Sequence, residues 1–284
     1  MQILIIDCSN LCYMAHFTSG GLSYEEKKTG VLFGFLRQVF KLVNDFETHK
    51  IVFCWDSRKS YRKKINPSYK SNRKREDLTE EEIQDKNQFY SQINNLRRKI
   101  IPALGFKNSF IKTGYEADDI IANLVVYTCP GSTVVSTDND LWQLLDFCTI
   151  YNPRTKKRFI IDNFKALYDI EPGEWRSVKA IAGCSGDGVI GIKGIGEITA
   201  VRYIKGGKSD TGKLSEKIVS SGSLIDDNHR LVDLPLDPFF LDLDFNENFD
   251  LKDWIEVFRE YNFKSFMNKS YLNKLKRTFN LTKA

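Results

Sequence analysis

Residues 2–7 read Gln-Ile-Leu-Ile-Ile-Asp and residues 51–56 read Ile-Val-Phe-Cys-Trp-Asp, two short apolar runs that each end on an aspartate. Runs of this length, rich in Ile and Val, are the mark of buried strands. Between them, residues 31–46 place apolar side chains at helical spacing, which gives strand, helix, strand. The order recurs with Phe106–Lys112, a helix over Glu116–Tyr127, Thr133–Thr137, and an amphipathic Leu141–Leu145. Parallel strands need crossovers, and helices supply them, so the pattern predicts an α/β fold with a parallel sheet. Ligands of such sheets gather at the carboxyl ends of the strands.

After residue 56 the order is interrupted by a long insertion at about 57–103. It begins with a basic run and continues through Thr79-Glu80-Glu81-Glu82, a capping-box signature that opens a helix to about Ile101. Past about residue 165 strand signals mostly stop, and glycines cluster at 183–196. The expected organisation is therefore an α/β core over 1–165 and a helical region over 166–284. Residues 206–213 form the expected mobile loop. Its Gly-Lys-Ser lacks the strand and first glycine of a nucleotide-triphosphate loop.

Composition excludes several classes. The 284 residues are 42% hydrophobic and 28% charged, no apolar run reaches the roughly 18 residues of a membrane span, and the start has no secretory signal pattern. The expectation is a cytoplasmic protein with no membrane partner. The six cysteines form no Cys-x-x-Cys pair, which argues against disulfides and a zinc site, and His16, His49 and His229 are scattered and unaccompanied.

Charge is distributed unevenly. Net charge is 42 − 37 = +5, yet residues 58–75 hold nine cations and no acid. Acids collect where strands end: Asp7, Asp56, Glu116, Asp118 and Asp119 at a helix start, and Asp138 and Asp140 after the Thr133–Thr137 strand. Aspartate is common in turns and favours a helix's first turn, so each alone reads as structural. Together on one sheet edge they repel unless cations join them, and oxygen-only ligation suits magnesium or manganese. With Asp187 the acids number eight, leaving +5 + 8 = +13 on the rest of the chain. A basic protein with an acidic pit suits metal-assisted cleavage of nucleic-acid phosphates.

Within the basic run, Tyr69-Lys70-Ser71-Asn72-Arg73 sets an aromatic beside cations, with Lys70 and Arg73 expected on one helical face. Stacking plus phosphate-directed cations is how single strands are gripped. Gly191-Ile192-Lys193-Gly194-Ile195-Gly196 precedes a helix, where backbone amides can approach a phosphate.

In order, Ile-Ile-Asp7-Cys-Ser-Asn-Leu, Phe-Cys-Trp-Asp56, Tyr69-Lys-Ser-Asn-Arg73, Tyr-Glu116-Ala-Asp-Asp119, Ser-Thr-Asp138-Asn-Asp140 and Gly191-Ile-Lys-Gly-Ile-Gly196 resemble the flap endonuclease family. That family includes the 5′-nuclease domains of bacterial DNA polymerases and stand-alone phage enzymes, and Leu231-Val-Asp-Leu-Pro235 is similar to the phage members. The resemblance implies a PIN-like α/β nuclease core, a helical arch made by the 57–103 insertion, and a helix-three-turn-helix at about 183–205 that can hold potassium. It also implies a monomer acting in replication and repair alongside replication proteins. The implied activity is two-metal hydrolysis of DNA, or RNA–DNA, at a 5′ flap, nick or free 5′ end, with Mg2+ replaceable by Mn2+.

By matched position, Asp7, Asp56, Glu116 and Asp118 would serve the first metal, and Asp138, Asp140 and Asp187 the second. Lys70 and Arg73 would steady the scissile phosphate, and Asp119 would orient water or a ligand. Tyr69, Lys74, Lys179, Gly191, Lys193, Gly194 and Gly196 would contact DNA. The family pattern Gly-Asp-x-x-Asp stands here as Gly183-Cys184-Ser-Gly-Asp187, so Cys184 takes an expected second-metal position. Gly188 replaces the usual Asn, and Met14 sits where some relatives carry a basic residue. Two other readings stay open: a DNA-junction binder with catalysis weakened at Cys184, and a related RNA-cleaving nuclease.

Overall fold

The structure, a computed structural model, describes residues 2–73, 77–206 and 212–281. Lys74 and most of the 206–213 loop lie outside them. The chain folds into two units interleaved in sequence: Met1–Trp55, Asp77–Phe110 and Asp242–Ala284 make the first, Asp56–Glu76 and Ile111–Leu241 the second.

In the first unit β1 (Leu4–Asp7) pairs in parallel with β2 (Ile51–Trp55), with Leu4 opposite Ile51 and Asp7 opposite Cys54. Both strands are buried along their length, which is why they read as continuous apolar runs. The helix α1 (Cys8–Ser19) starts directly after β1, and Asp7 caps it by accepting from the Asn10 N–H at 3.0 Å. The longer α2 (Gly30–Phe46) has no side-chain cap of its own. Gln92, on α3 (Glu80–Asn95), supplies one by accepting from Val31 N at 3.0 Å. The capping box read at Thr79 is formed, with Glu82 N donating to Thr79 Oγ1 and Thr79 N to Glu82 Oε2. β3 (Ser109–Ile111) lies beside β2.

The 242–281 stretch returns to this first unit. Phe249, Trp254, Phe258, Phe266 and Phe279 pack around Phe40 and Phe106, with Trp254 and Phe279 ring centroids 4.8 Å apart. Burial of five large aromatics outweighs any local polarity of the tail. The expected grouping of 166–284 as one region is corrected here.

The second unit holds β4 (Thr133–Val135) parallel to β5 (Thr149–Asn152), and β6 (Lys157–Phe159) antiparallel to β5. Asn152 Oδ1 turns the hairpin by accepting from Arg154 N and Thr155 N. Besides a single turn at Arg62–Ile65, the described helices of this unit include α4 (Ala117–Asn123), α5 (Ile161–Tyr168), α6 (Trp175–Ala182), α7 (Glu197–Gly206), α8 (Lys213–Ser220) and α9 (Gly222–Val232). The expected boundary at 165 falls inside this unit, because Trp175 is buried against Trp142 (5.1 Å) and donates to the Asn139 carbonyl at 2.8 Å. Residues 141–145, read as helical, form a 3-10 turn over Asp140–Leu144. Among the described residues no helix is long and apolar enough to cross a membrane.

Candidate active site

The acidic residues of the second unit stand at Asp56, at the start of α4, after β4 and on a short turn at 185–187. Glu116 and Asp118 open α4, whose first N–H groups point at carboxylates: Asp56 Oδ1 accepts from Ala117 N at 2.8 Å. Asp138 and Asp140 follow β4, and Asp138 Oδ1 accepts from Asp140 N at 2.9 Å. Asp187 closes a one-turn helix, Ser185–Asp187. Asp7 belongs to the first unit, at the end of β1.

The segment 69–73 docks onto 185–187. Lys70 N donates to the Asp187 carbonyl at 2.6 Å, Asn72 Nδ2 to Ser185 O at 2.6 Å and Arg73 Nε to Gly186 O at 2.9 Å. Held this way, Lys70 adopts a left-handed backbone (φ 53°), a conformation that persists where the surroundings enforce it. Its Nζ lies 2.7 Å from Glu116 Oε2 and 3.5 Å from Asp187 Oδ2, and Arg73 pairs with Asp187 Oδ1. The expected shared helical face is corrected: Arg73 ends a separate turn, Ser71–Arg73, yet both cations converge on Asp187. Burial opposes charge on Lys70 and Glu116, but their mutual attraction, joined by Asp187 at the lysine and by Arg62 and Tyr69 at the carboxylate, outweighs it, raising the lysine pKa and lowering the carboxyl's.

Tyr69 does not stack on solvent-borne bases, as the sequence suggested. It is buried among Ala180, Val189, Leu231 and Val232, and its hydroxyl lies 3.0 Å from both Glu116 Oε2 and Asp187 Oδ2. The ring serves the core while the hydroxyl orients two carboxylates.

Lys179 is corrected likewise, from a DNA contact to a buried cation. Only 5% exposed, its Nζ reaches Asp140 Oδ1 (2.8 Å), Glu197 Oε1 (2.7 Å) and Asn139 Oδ1 (2.8 Å). Cys184 Sγ stands 3.9 Å from Asp140 Oδ1, and burial, then Asp140, pushes its thiol up to about 12. The thiol is neutral beside the acidic group. Burial and the neighbouring Asp140 also raise Asp138.

Asp119 is fully buried, so it does not face water. Arg62 grips it in a fork, Nη1 to Oδ2 at 2.6 Å and Nη2 to Oδ1 at 2.8 Å, while Oδ2 also accepts from Glu116 N at 3.0 Å. The part of its expected role that touches a ligand-bearing residue runs through the Glu116 backbone. Arg62→Met is expected to lower unfolding free energy by about 3–5 kcal/mol, because Asp119 keeps a buried charge with no cation to balance it. Denaturant titration checks it, and a loss below about 1 kcal/mol, the level of an exposed pair, would contradict a buried one.

In the glycine cluster, Gly191 packs so closely that a Cβ would run into the Ala182 carbonyl, so its smallness answers backbone packing. Lys193, Gly194 (φ 81°) and Gly196 are exposed before α7. Gly188 has φ 71°, a region open mainly to Gly and Asn, which accounts for either residue there.

Among the described residues no three His, Cys, Asp or Glu side chains are arranged to hold a metal ion. Lys70, Arg73 and Lys179 take carboxylate oxygens instead. The donor chemistry fits a hard divalent cation, all carboxylate oxygen apart from Cys184, and positive charge already sits between Glu116 and Asp187.

Residues 2–169 match the family model for the 5′-3′ exonuclease N-terminal resolvase-like domain. The chain belongs to the 5′-3′ exonuclease family. It is 32% identical over 210 residues to a 5′-3′ exonuclease of Buchnera aphidicola subsp. Schizaphis graminum, covering 72% of this chain and 69% of that one. The 5′-3′ exonuclease of Bacillus subtilis is 32% identical over 225 residues, covering 72% and 70%. The T5 5′-exonuclease, solved with divalent metal ions (zinc) bound, superposes with a TM-score of 0.69 at 22% identity over 83% of this chain and 90% of that one. That likeness shows the resolvase-like, PIN-type α/β fold, while the family match and the two relatives make the chain a nuclease.

Proposed function

We propose that this member of the family is a structure-selective 5′-nuclease that hydrolyses DNA, or RNA in RNA–DNA, at a 5′ flap, nick or free 5′ end. The observation that supports it most is the meeting of Lys70 and Arg73 with Glu116 and Asp187. Cations that can neutralise phosphate stand on carboxylates that can hold metal. Asp56, Glu116 and Asp118 would hold one divalent ion, and Asp138, Asp140 and Asp187 a second, magnesium with manganese as substitute; potassium would sit at the 183–205 turn. Bound there, magnesium supplies an acidified water and neutralises charge on the departing oxygen. Lys70 and Arg73 hold the scissile phosphate, Tyr69 orients Glu116 and Asp187, and Lys179 fixes Asp140.

A 5′-labelled flap, a nicked duplex and a single-stranded RNA, each with and without magnesium, test the reading. The two DNAs should be cut only with magnesium and the RNA spared. RNA cleavage alone would favour the related RNA-cleaving class, and binding without cleavage a junction binder.

Cys184→Asp should restore a hard oxygen beside Asp140 and shift magnesium half-saturation down by about tenfold, the low end of what changes around a metal site do. Manganese should benefit less. Superimposable magnesium titrations of the two proteins would mean that Cys184 stands apart from the metal.

A further inference from the structure

From the last two residues of α9, Leu231 and Val232, the chain runs on to Phe239 without regular structure, and four buried side chains of the same unit read this backbone. Arg62 Nε donates to Leu231 O (2.7 Å) and Nη2 to Asp233 O (3.3 Å). Gln143 donates to Val232 O (3.1 Å) and accepts from Leu234 N (3.0 Å). Asp119 Oδ1 accepts from Leu236 N (3.0 Å), and Asn123 bonds Asp237 O and Phe239 N at 3.1 and 2.6 Å. All four side chains are at most 5% exposed, so their polar groups depend on these protein partners rather than on bulk water.

The same side chains also hold the elements that carry the acids. Asp119 accepts from Glu116 N, and Asn123 donates to the Asp119 carbonyl at 2.8 Å, which ties the start of α4. Gln143 Nε2 donates to the Asp140 carbonyl at 2.8 Å, which ties the 140–144 turn. Those two elements pack on each other. One stretch of backbone thus spans the supports of both carboxylate pairs.

We propose that residues 231–239 are a strap that sets the spacing between Glu116–Asp118 and Asp138–Asp140, with Gln143 and Arg62 as the positioning residues that read it. The proposal rests on the nuclease reading and adds to it. Gln143 touches neither substrate nor metal; it acts through the backbone of Asp140. Removing its amide leaves the acids in place but frees their separation, and partners of metal ligands typically change metal affinity or activity by about 10–100-fold.

The test uses the full chain with Gln143→Met, Arg62→Lys and a control, Ile218→Ala, in the core of α8. Mn2+ binding is titrated by EPR without nucleic acid, flap affinity is measured by anisotropy in calcium, cleavage by single turnover in magnesium, and folding by thermal melting. Gln143→Met should weaken Mn2+ binding and slow cleavage by about 10–100-fold each, with flap affinity unchanged. Arg62→Lys, which keeps the charge and loses the fork, should fall between it and wild type. Ile218→Ala should lose melting temperature and keep Mn2+ affinity. Should Gln143→Met fail to fold, Arg62→Lys carries the test. Wild-type Mn2+ affinity in both strap variants, or equal weakening in Ile218→Ala, would overturn the strap while wild type still cleaves. A wild type that neither binds Mn2+ nor cleaves would overturn the nuclease reading and the strap with it.

Discussion

Asp140→Asn should abolish cleavage of a 5′ flap in magnesium while flap binding stays intact or tightens. The substitution keeps the size of the side chain and removes its charge. Lys179, which pairs with Asp140 at 2.8 Å, retains Glu197 and Asn139, so the surroundings stay satisfied. Metal-held charge supplies several kcal/mol to the transition state of phosphoryl transfer, and each ~1.4 kcal/mol is tenfold, so the rate should fall by about 10³-fold or more. Binding gains because one negative charge fewer faces phosphate. Asp118→Asn should behave alike, and single-turnover rates near wild type in both variants would refute the assignment.

Lys70→Ala should lower the single-turnover rate by about 10²–10³-fold, the loss expected for one charge contact made in the transition state, with little change in affinity. The geometry carries this expectation. Lys70 Nζ is held on Glu116 and Asp187 by a backbone that is itself bonded to Asp187, so its charge is aimed at the carboxylates rather than spread over the surface. On the proposed reading it would exchange Glu116 for a phosphate oxygen of the substrate. Lys74→Ala, a change in the same cationic run, should instead weaken binding modestly and flatten its salt dependence. Equal effects of the two on rate would contradict the distinction between a reacting contact and a general one.

Strands 4–7, 51–55 and 133–135 were legible because burial on both faces leaves uninterrupted apolar runs. The acids were legible from their places at strand and helix ends. The tail was not, because Phe249, Trp254, Phe258, Phe266 and Phe279 are scattered among polar residues and find one another only in three dimensions. Lys179 carried a signal that went unused: it lies four residues after Trp175 and one after Val178, on the buried stripe of α6, where a lysine implies a buried partner. Their hold on residues 231–234 gave Arg62 and Gln143 no signal, since those partners are backbone groups about ninety or more residues away, and any residue type supplies those. Tyr69 shows the converse case. An aromatic beside cations suggested stacking, but its neighbours from 180, 189 and 231–232 enclose it.

The most direct test of metal-dependent 5′-nucleolysis at this acidic group is single-turnover cleavage of one 5′-labelled flap by the wild-type chain in magnesium, in EDTA, and by Asp140→Asn in magnesium. The flap should be released in the first case alone. Release in EDTA, or release by Asp140→Asn at the wild-type rate, would contradict it.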